Sequence, residues 1–306
     1  MKHLRKYIRN ILLEAPLDVP SGKRYPKNFK RFMKLVNEHK NDVWIFFDTE
    51  TTGLLYNEKH VQATEVAAIA YNMNGFMKEP SQVVNGTFNM KIALQPDTIS
   101  FMDQEPEQYE NPRAKTIKQL LVMTQYEEGA LEKLTPLEVA ESFTDYLDEM
   151  RILANNQNGK VRLIAQNAIF DVSIMNVLYS RADIPPPKDL VWDTKIIFAN
   201  YLRDVLNYLS NKSKYPVPPQ DQKIITALTK DYGRGPYLSA SLGDIINAFD
   251  ISGGENWHTA IADVELTMKA LYFAVEFLKK KGNFLQTLRS ERPFKPTSGD
   301  PYNWKR

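Results

Sequence analysis

An α/β fold is expected for this chain, and four stretches predict it. Val43–Phe47 and Val161–Ala165 are short apolar runs of the length and composition of buried strands. After the second run, Ile169, Val172, Met175, Asn176 and Tyr179 recur every three or four residues, which is helical spacing. Near the other end of the chain, Ile261, Val264, Leu266, Met268, Leu271, Ala274, Val275 and Leu278 mark a long helix. Strands and helices interleaved in this way pack as layers of helix on sheet.

Each element carries an acid at its edge. Asp48 and Glu50 follow the first strand in WIFFDTETTGL, and in extended chain residues i and i+2 face one side, so the two carboxylates converge before Gly53 turns the chain. A lone D-x-E is usually solvated, and this one acquires meaning only with partners. Asp171 falls in the first turn of the helix after the second strand, with Asn167 as its expected N-cap; by itself it reads as an acid favouring the helix dipole. Asp263 lies a turn into the long helix, which Thr259 or Asn256 would cap, and His258 stands just before it. A histidine there is a cap or surface residue unless the other acids meet it. Carboxylates are poor core residues. Four of them on the borders of apolar runs can gather two hard divalent cations, and a nearby imidazole can deprotonate a water for attack on phosphorus. Together they point to hydrolysis of a phosphodiester.

DTETTGL, NAIFD and HTAIAD, in that order, resemble the three exonuclease motifs of the DEDDh family of 3′→5′ exonucleases, which includes ribonuclease T, oligoribonuclease and polymerase proofreading subunits. The resemblance covers residues 43–281. TEVAAIAY is similar to the family's second strand, VWDTKIIFANYL to its Asp-Thr helix and SLGDIINAFDI to the helix before the histidine. A histidine five residues before the last Asp, with Thr259 where the sister branch carries Tyr, places the chain on the h side. The resemblance implies a ribonuclease H-like fold, a mixed five-stranded sheet flanked by helices, and catalysis with two Mg²⁺ or Mn²⁺ ions. It implies that Asp48 bridges both ions, that Asp263 holds the one carrying the attacking water, that Glu50 and Asp171 complete the ligand shells, and that His258 is the general base. Thr51, Thr52, Gly53 and Leu54 would hold the terminal nucleotide by backbone contacts, with Asn167 nearby. Leu54 and Phe170 would pack on the last bases, although Phe170 reads equally as a helix core position.

Composition bounds the remainder. The 306 residues exceed one nuclease domain but not by a second, so the expected organisation is a basic helical arm and linker at 1–40, an exonuclease domain at 41–285 with insertions near 97–134 and 204–237, and an irregular tail at 286–306. Cysteine is absent, which excludes disulfides and thiolate metal sites. Four histidines, three of them before residue 61, argue against an all-histidine zinc site. No apolar stretch is long enough to cross a membrane, the arm has no secretory apolar segment, and a cytoplasmic setting is compatible. Lys212, Lys214, Lys223, Lys230 and Arg234, interleaved with Tyr215, Tyr232 and Tyr237, read either as a solvated loop or as the lining of a single-strand channel.

Charge is unevenly placed. Residues 1–34 hold ten Lys or Arg against Glu14 and Asp18, so +8 sits there and the rest of a +2 chain carries −6. Three readings of that arm compete: phosphate contact, a partner-docking amphipathic helix, and a targeting presequence. The expected substrate is single-stranded nucleic acid or an unpaired 3′ end, with DNA favoured over RNA because the insertions suit a longer strand. The alternatives are an exoribonuclease and a non-catalytic nuclease-fold module docking through the arm.

All motif acids lie at or beyond Asp48, so deletion of residues 1–26 is expected to leave the fold and the chemistry intact. If the arm contacts phosphates, binding of long oligonucleotides weakens and its salt slope falls by about 0.7 per lost contact on single strands. If it docks to a protein, oligonucleotide binding is unchanged. Binding isotherms at several salt concentrations separate the two, and a truncated chain that does not fold refutes both.

Overall fold

The structure is a computed structural model that describes residues 38–52, 61–72, 86–104, 134–189, 191–202, 219–230, 237–252 and 259–291. The chain divides into two compact units: His39–Thr194 with Ile251–Tyr272, and the remainder. The basic arm, most of both insertions, Gly53, Leu54, Asn256, His258 and the tail beyond 291 lie outside the described residues.

The first unit is built on five strands. β1 (Val43–Thr51) is central, antiparallel to β2 (Ala63–Asn72), which is antiparallel to β3 (Thr87–Lys91). On its other side β1 runs parallel to β4 (Val161–Ala165), and β4 parallel to β5 (Val191–Asp193). The order β3-β2-β1-β4-β5, with a three-strand antiparallel meander and two parallel strands added, is the ribonuclease H-like arrangement. β1 is an apolar run up to Phe47 because it is covered on both faces. One face carries Val43, Ile45 and Phe47, which pack with Val66, Ala68 and Ala70 of β2.

Helices close that face. α1 (Pro96–Gln104) opens the first insertion, whose return is fixed at its end: Ala93 N–H donates to the Leu134 carbonyl at 2.8 Å, and the buried Gln62 side chain bonds both Ala93 and Gln95. α2 (Pro136–Asn156) then starts on a reciprocal cap. Thr135 accepts from Glu138 N–H at 3.2 Å, Glu138 accepts from Thr135 N–H at 2.7 Å, and Pro136 occupies a position where its missing donor costs nothing. Its Val139, Ala140, Phe143, Leu147, Met150 and Ala154 bury against the sheet. α3 (Ile169–Arg181) adds Ile174, Met175, Leu178 and Tyr179 to the same core, and the Tyr179 hydroxyl reaches the Ala140 carbonyl at 3.1 Å to join the two helices.

The opposite face carries Trp44, Phe46, Asp48 and Glu50, registered against Tyr71, Ile69, Ala67 and Glu65. α4 (Thr194–Ile197) follows β5 and passes into a π-helical turn, Phe198–Leu202. The second unit, among the described residues, holds α5 (Pro219–Leu228), a two-stranded ribbon of β6 (Thr229–Lys230) and β7 (Tyr237–Leu238), α6 (Leu242–Ala248) and the later part of α7 (Ala260–Glu291). Ser241 caps α6 by accepting from Asp244 N–H at 3.3 Å. Lys223 pairs with Asp250 and Lys230 with Asp244 at 2.8 Å.

Four expectations change. β1 extends beyond Phe47 to Thr51, because β2 keeps pairing beside the polar residues. Asn167 is not the cap of α3: it takes a left-handed conformation (φ 61°) and gives its N–H to Asp193, leaving Ala168 at the cap position without a side-chain bond. VWDTKIIFANYL begins as a strand and only then turns helical. The last helix runs to Glu291, into the stretch expected to be irregular.

The sheet is anchored at the end remote from the acids. Buried Asp42 accepts from Lys160 N–H at 2.9 Å and Arg162 Nε at 2.6 Å, while the Arg162 guanidinium sits 5.2 Å from the Trp192 ring centre. Chain crossing here is so close that a Cβ on Gly159 would lie 1.8 Å from the Asn41 carbonyl oxygen. Gly159→Ala is therefore expected to destabilise the fold by about 1–3 kcal/mol or more, since backbone must move. Denaturant midpoints of the two proteins check this, and an unchanged midpoint would show that the 41–42 and 159–160 segments separate freely.

Candidate active site

β1, β4 and β5 run parallel, so their carboxyl ends share one edge of the sheet, and antiparallel β2 begins at that edge. In sheets of this kind ligands bind beyond the carboxyl ends of the strands. Asp48 and Glu50 lie near the end of β1 on one face, two residues apart. Pairing with β4 stops at Phe46, and β1 continues alone on that side. There Thr49 donates its N–H at 3.1 Å and its hydroxyl at 2.9 Å to Asp171 Oδ1. Asp171, only 2% exposed, is thus held from the first turn of α3 onto the free edge of β1.

Asp263 arrives from far along the chain. Thr259 starts α7, accepting from Ala262 N–H at 3.4 Å through its hydroxyl and from Asp263 N–H at 3.1 Å through its carbonyl. One carboxylate oxygen each from Asp48, Glu50 and Asp263 lies within 4.8 Å of the others. This is the metal-competent group of acids among the described residues. Asp193, at the end of β5, accepts the Asn167 N–H at 3.1 Å and stands near Asp171.

Burial and crowding favour protonation of these acids when no cation is present. Burial raises Asp48 well above the usual carboxylate range, and the charges of Asp171, Asp263, Glu50 and Glu65 push the same way. Burial, then Asp263 and Glu65, raise Glu50 to about 7. Burial raises Asp171 to about 7 against the lowering effect of its Thr49 bonds, with Asp193 adding to the rise. Such shifts are what desolvation and like charge produce together. The donor set fits a hard divalent ion: every candidate ligand is a carboxylate oxygen, and a dication would reverse the repulsion that keeps the acids neutral.

Of the remaining sequence candidates, Thr51 and Thr52 follow a register slip after Glu50, and Thr52 is engaged with Gln62, its N–H on the Gln62 carbonyl and its hydroxyl accepting the Gln62 N–H, both at 3.1 Å. Phe170 is half-buried against the core beneath α2 and α3. Asn167 is exposed at the turn before α3. His258, Gly53 and Leu54 lie outside the described residues. Sequence reasoning overlooked Thr49, Asp193 and Glu65. A signal existed for Glu65, a single acid inside the otherwise apolar strand TEVAAIAY.

No family model matches the chain, and no curated protein matches it. Among solved structures it is similar to E. coli exonuclease I in complex with a dA16 oligonucleotide, at 14% identity and TM-score 0.46 over 81% of this chain and 44% of that one. The zinc-ion-bound form of the E. coli exonuclease I–ssDNA complex gives 15% identity and TM-score 0.45, covering 81% and 43%. A product-bound exonuclease I gives 14% and 0.44, covering 81% and 46%. The chain therefore spans less than half the length of these proteins. Likeness of this degree carries no argument about activity, which rests on the chain's own residues.

The raised acids set a pH dependence with a definite sign. In the folded state Glu50 and Asp171 keep their protons to about pH 7, whereas unfolded carboxylates lose them near pH 4. The folded state thus binds more protons between those limits, and stability present at acid pH is lost as pH rises through them. Asp97, lowered chiefly by its bond to Arg181, acts below that window. Melting in chelator is expected at a lower temperature at pH 8 than at pH 5, with Mn²⁺ raising it more at pH 8. The opposite order in both measurements would mean that the acids ionise freely in the folded state.

Proposed function

We propose that this protein is a divalent-metal-dependent 3′→5′ exonuclease that hydrolyses single-stranded nucleic acid, DNA before RNA, to nucleoside 5′-monophosphates. One observation carries the reading: three carboxylates from residues 48, 50 and 263 converge at the carboxyl edge of the sheet, with a fourth, Asp171, tied beside them. Such crowding is unfavourable for a merely structural cluster and useful for holding cations against a phosphate.

Asp48, Glu50 and Asp263 would hold the ions, with Asp171 completing the shell. Bound there, Mg²⁺ or Mn²⁺ supplies charge neutralisation at the phosphate and a more acidic water. The protein's own groups do the rest. Thr49 fixes Asp171 by two hydrogen bonds, so that this carboxylate cannot swing away from β1. The imidazole of His258, two residues before α7, would take the proton as the water oxygen bonds to phosphorus and the bond from phosphorus to the 3′ oxygen of the penultimate nucleotide breaks. Thr51, Thr52, Gly53 and Leu54, directly after the acids, would receive the terminal nucleotide through backbone contacts, with the Thr52 side chain braced on Gln62.

Matched 5′-labelled and 3′-labelled DNA and RNA oligonucleotides test the reading. Expected are single-nucleotide steps from the 3′ end, loss of activity in chelator and in Asp48→Asn, and a fall of about 10²–10⁴-fold in His258→Ala. A closed single-stranded circle is expected to resist. Activity in excess chelator, an active Asp48→Asn protein, or cleavage of the intact circle would each overturn the proposal.

A further inference from the structure

Glu65 is a fifth acid at the same edge, and no step of the proposed reaction uses it. It lies on β2 directly opposite Glu50, on the same face, and is only 3% exposed. A carboxylate so deeply placed needs compensation. Three groups supply it: Lys91, its registered neighbour on β3; the Asn89 side chain; and the backbone N–H of Ala260. Ala260 is the first residue of α7, fully buried, three positions before Asp263. A helix leaves its first N–H groups without intrahelical acceptors, and a buried one cannot turn to water. An anion there also suits the positive end of the helix.

Building on the metal-site reading above, we infer that Glu65 is a positioning residue whose carboxylate clamps the first turn of α7 to β2 and so sets Asp263 against Asp48 and Glu50. Its oxygens are engaged by protein donors. The hold depends on reach and on accepting a hydrogen bond. Lys91 answers the charge, whereas the Ala260 N–H needs only an acceptor oxygen within reach. Glutamine preserves reach and an acceptor oxygen, and Asn89 can turn its amide to meet the new NH₂. Aspartate preserves charge but is one methylene short.

The test compares Glu65→Gln, Glu65→Asp and Glu65→Ala in the full chain. Hydrogen exchange of the peptide covering 259–266 is read beside calorimetric Mn²⁺ titration and steady-state kinetics. Expected are faster exchange confined to that peptide in the Asp and Ala variants, Mn²⁺ affinity lowered about 10-fold or more, and a matching fall in kcat with KM for a single strand unchanged; the Gln variant stays within about threefold of the parent. A Gln variant as weak as the Ala variant, or an Asp variant like the parent, would make charge or direct ligation the cause and overturn the inference. Faster exchange spread over all helices would reduce Glu65 to general stability and overturn it too. The readouts also separate the two proposals. A parent that binds Mn²⁺ without degrading nucleic acid defeats the exonuclease reading alone. A parent that binds no Mn²⁺ defeats the metal site, and unchanged exchange in Glu65→Ala defeats the clamp.

Discussion

Repulsion among carboxylates at one edge of the sheet is the constraint around which the first unit is arranged. Oxygens within 4.8 Å of one another, if ionised, repel by on the order of 3 kcal/mol per pair at an effective dielectric of about 20. Several such pairs rival the net stability of a domain. Without a cation the acids escape by keeping protons, which is why Asp48, Glu50 and Asp171 all shift upward. With a cation the same crowding becomes a binding site. A cation bound there would displace the same protons that the folded state retains.

Unequal strand lengths make the site possible. β1 outruns β4, and the edge so exposed offers Thr49 as a donor to the first turn of α3. If β4 were as long as β1, that donor would face a strand and Asp171 would have no anchor there. The meander on the other side does the complementary work, since β2 starts at the same edge and carries Glu65 to the start of α7. The acids therefore come from a strand end and two helix starts, all rigid elements.

Strain at the acidic edge is balanced elsewhere. Two faces of apolar packing clamp β1, with Val43, Ile45 and Phe47 on one side and Trp44 and Phe46 on the other. At the remote end Asp42 and Arg162 form a satisfied buried pair, with Trp192 beside the guanidinium. That pair brings opposite charges together, whereas the acidic edge gathers like charges. Crowding of this kind is what marks the acidic edge as the candidate site within the sheet.

The sequence by itself determined the α/β class, the apolar core of β1, the bounds of β4 and the place of Asp171 and Asp263 in the first turns of their helices, because hydrophobic periodicity is a local property of neighbouring residues. Only the tertiary structure decided which acids meet. Asp263 reaches Glu50 through the packing of α7, and Asp171 reaches β1 through the difference in strand length, neither of which any short window contains. Asn167 shows the same limit in reverse. Its local chemistry suits a cap, yet Asp193, from the end of β5, claims its N–H and draws it into a left-handed turn. Glu65 stands out as an acid in an apolar strand, yet what it meets was not legible, because its partners, Lys91, Asn89 and Ala260, come from another strand and a distant helix. Long-range pairing, and the desolvation that accompanies it, turns these residues from a pattern into a site.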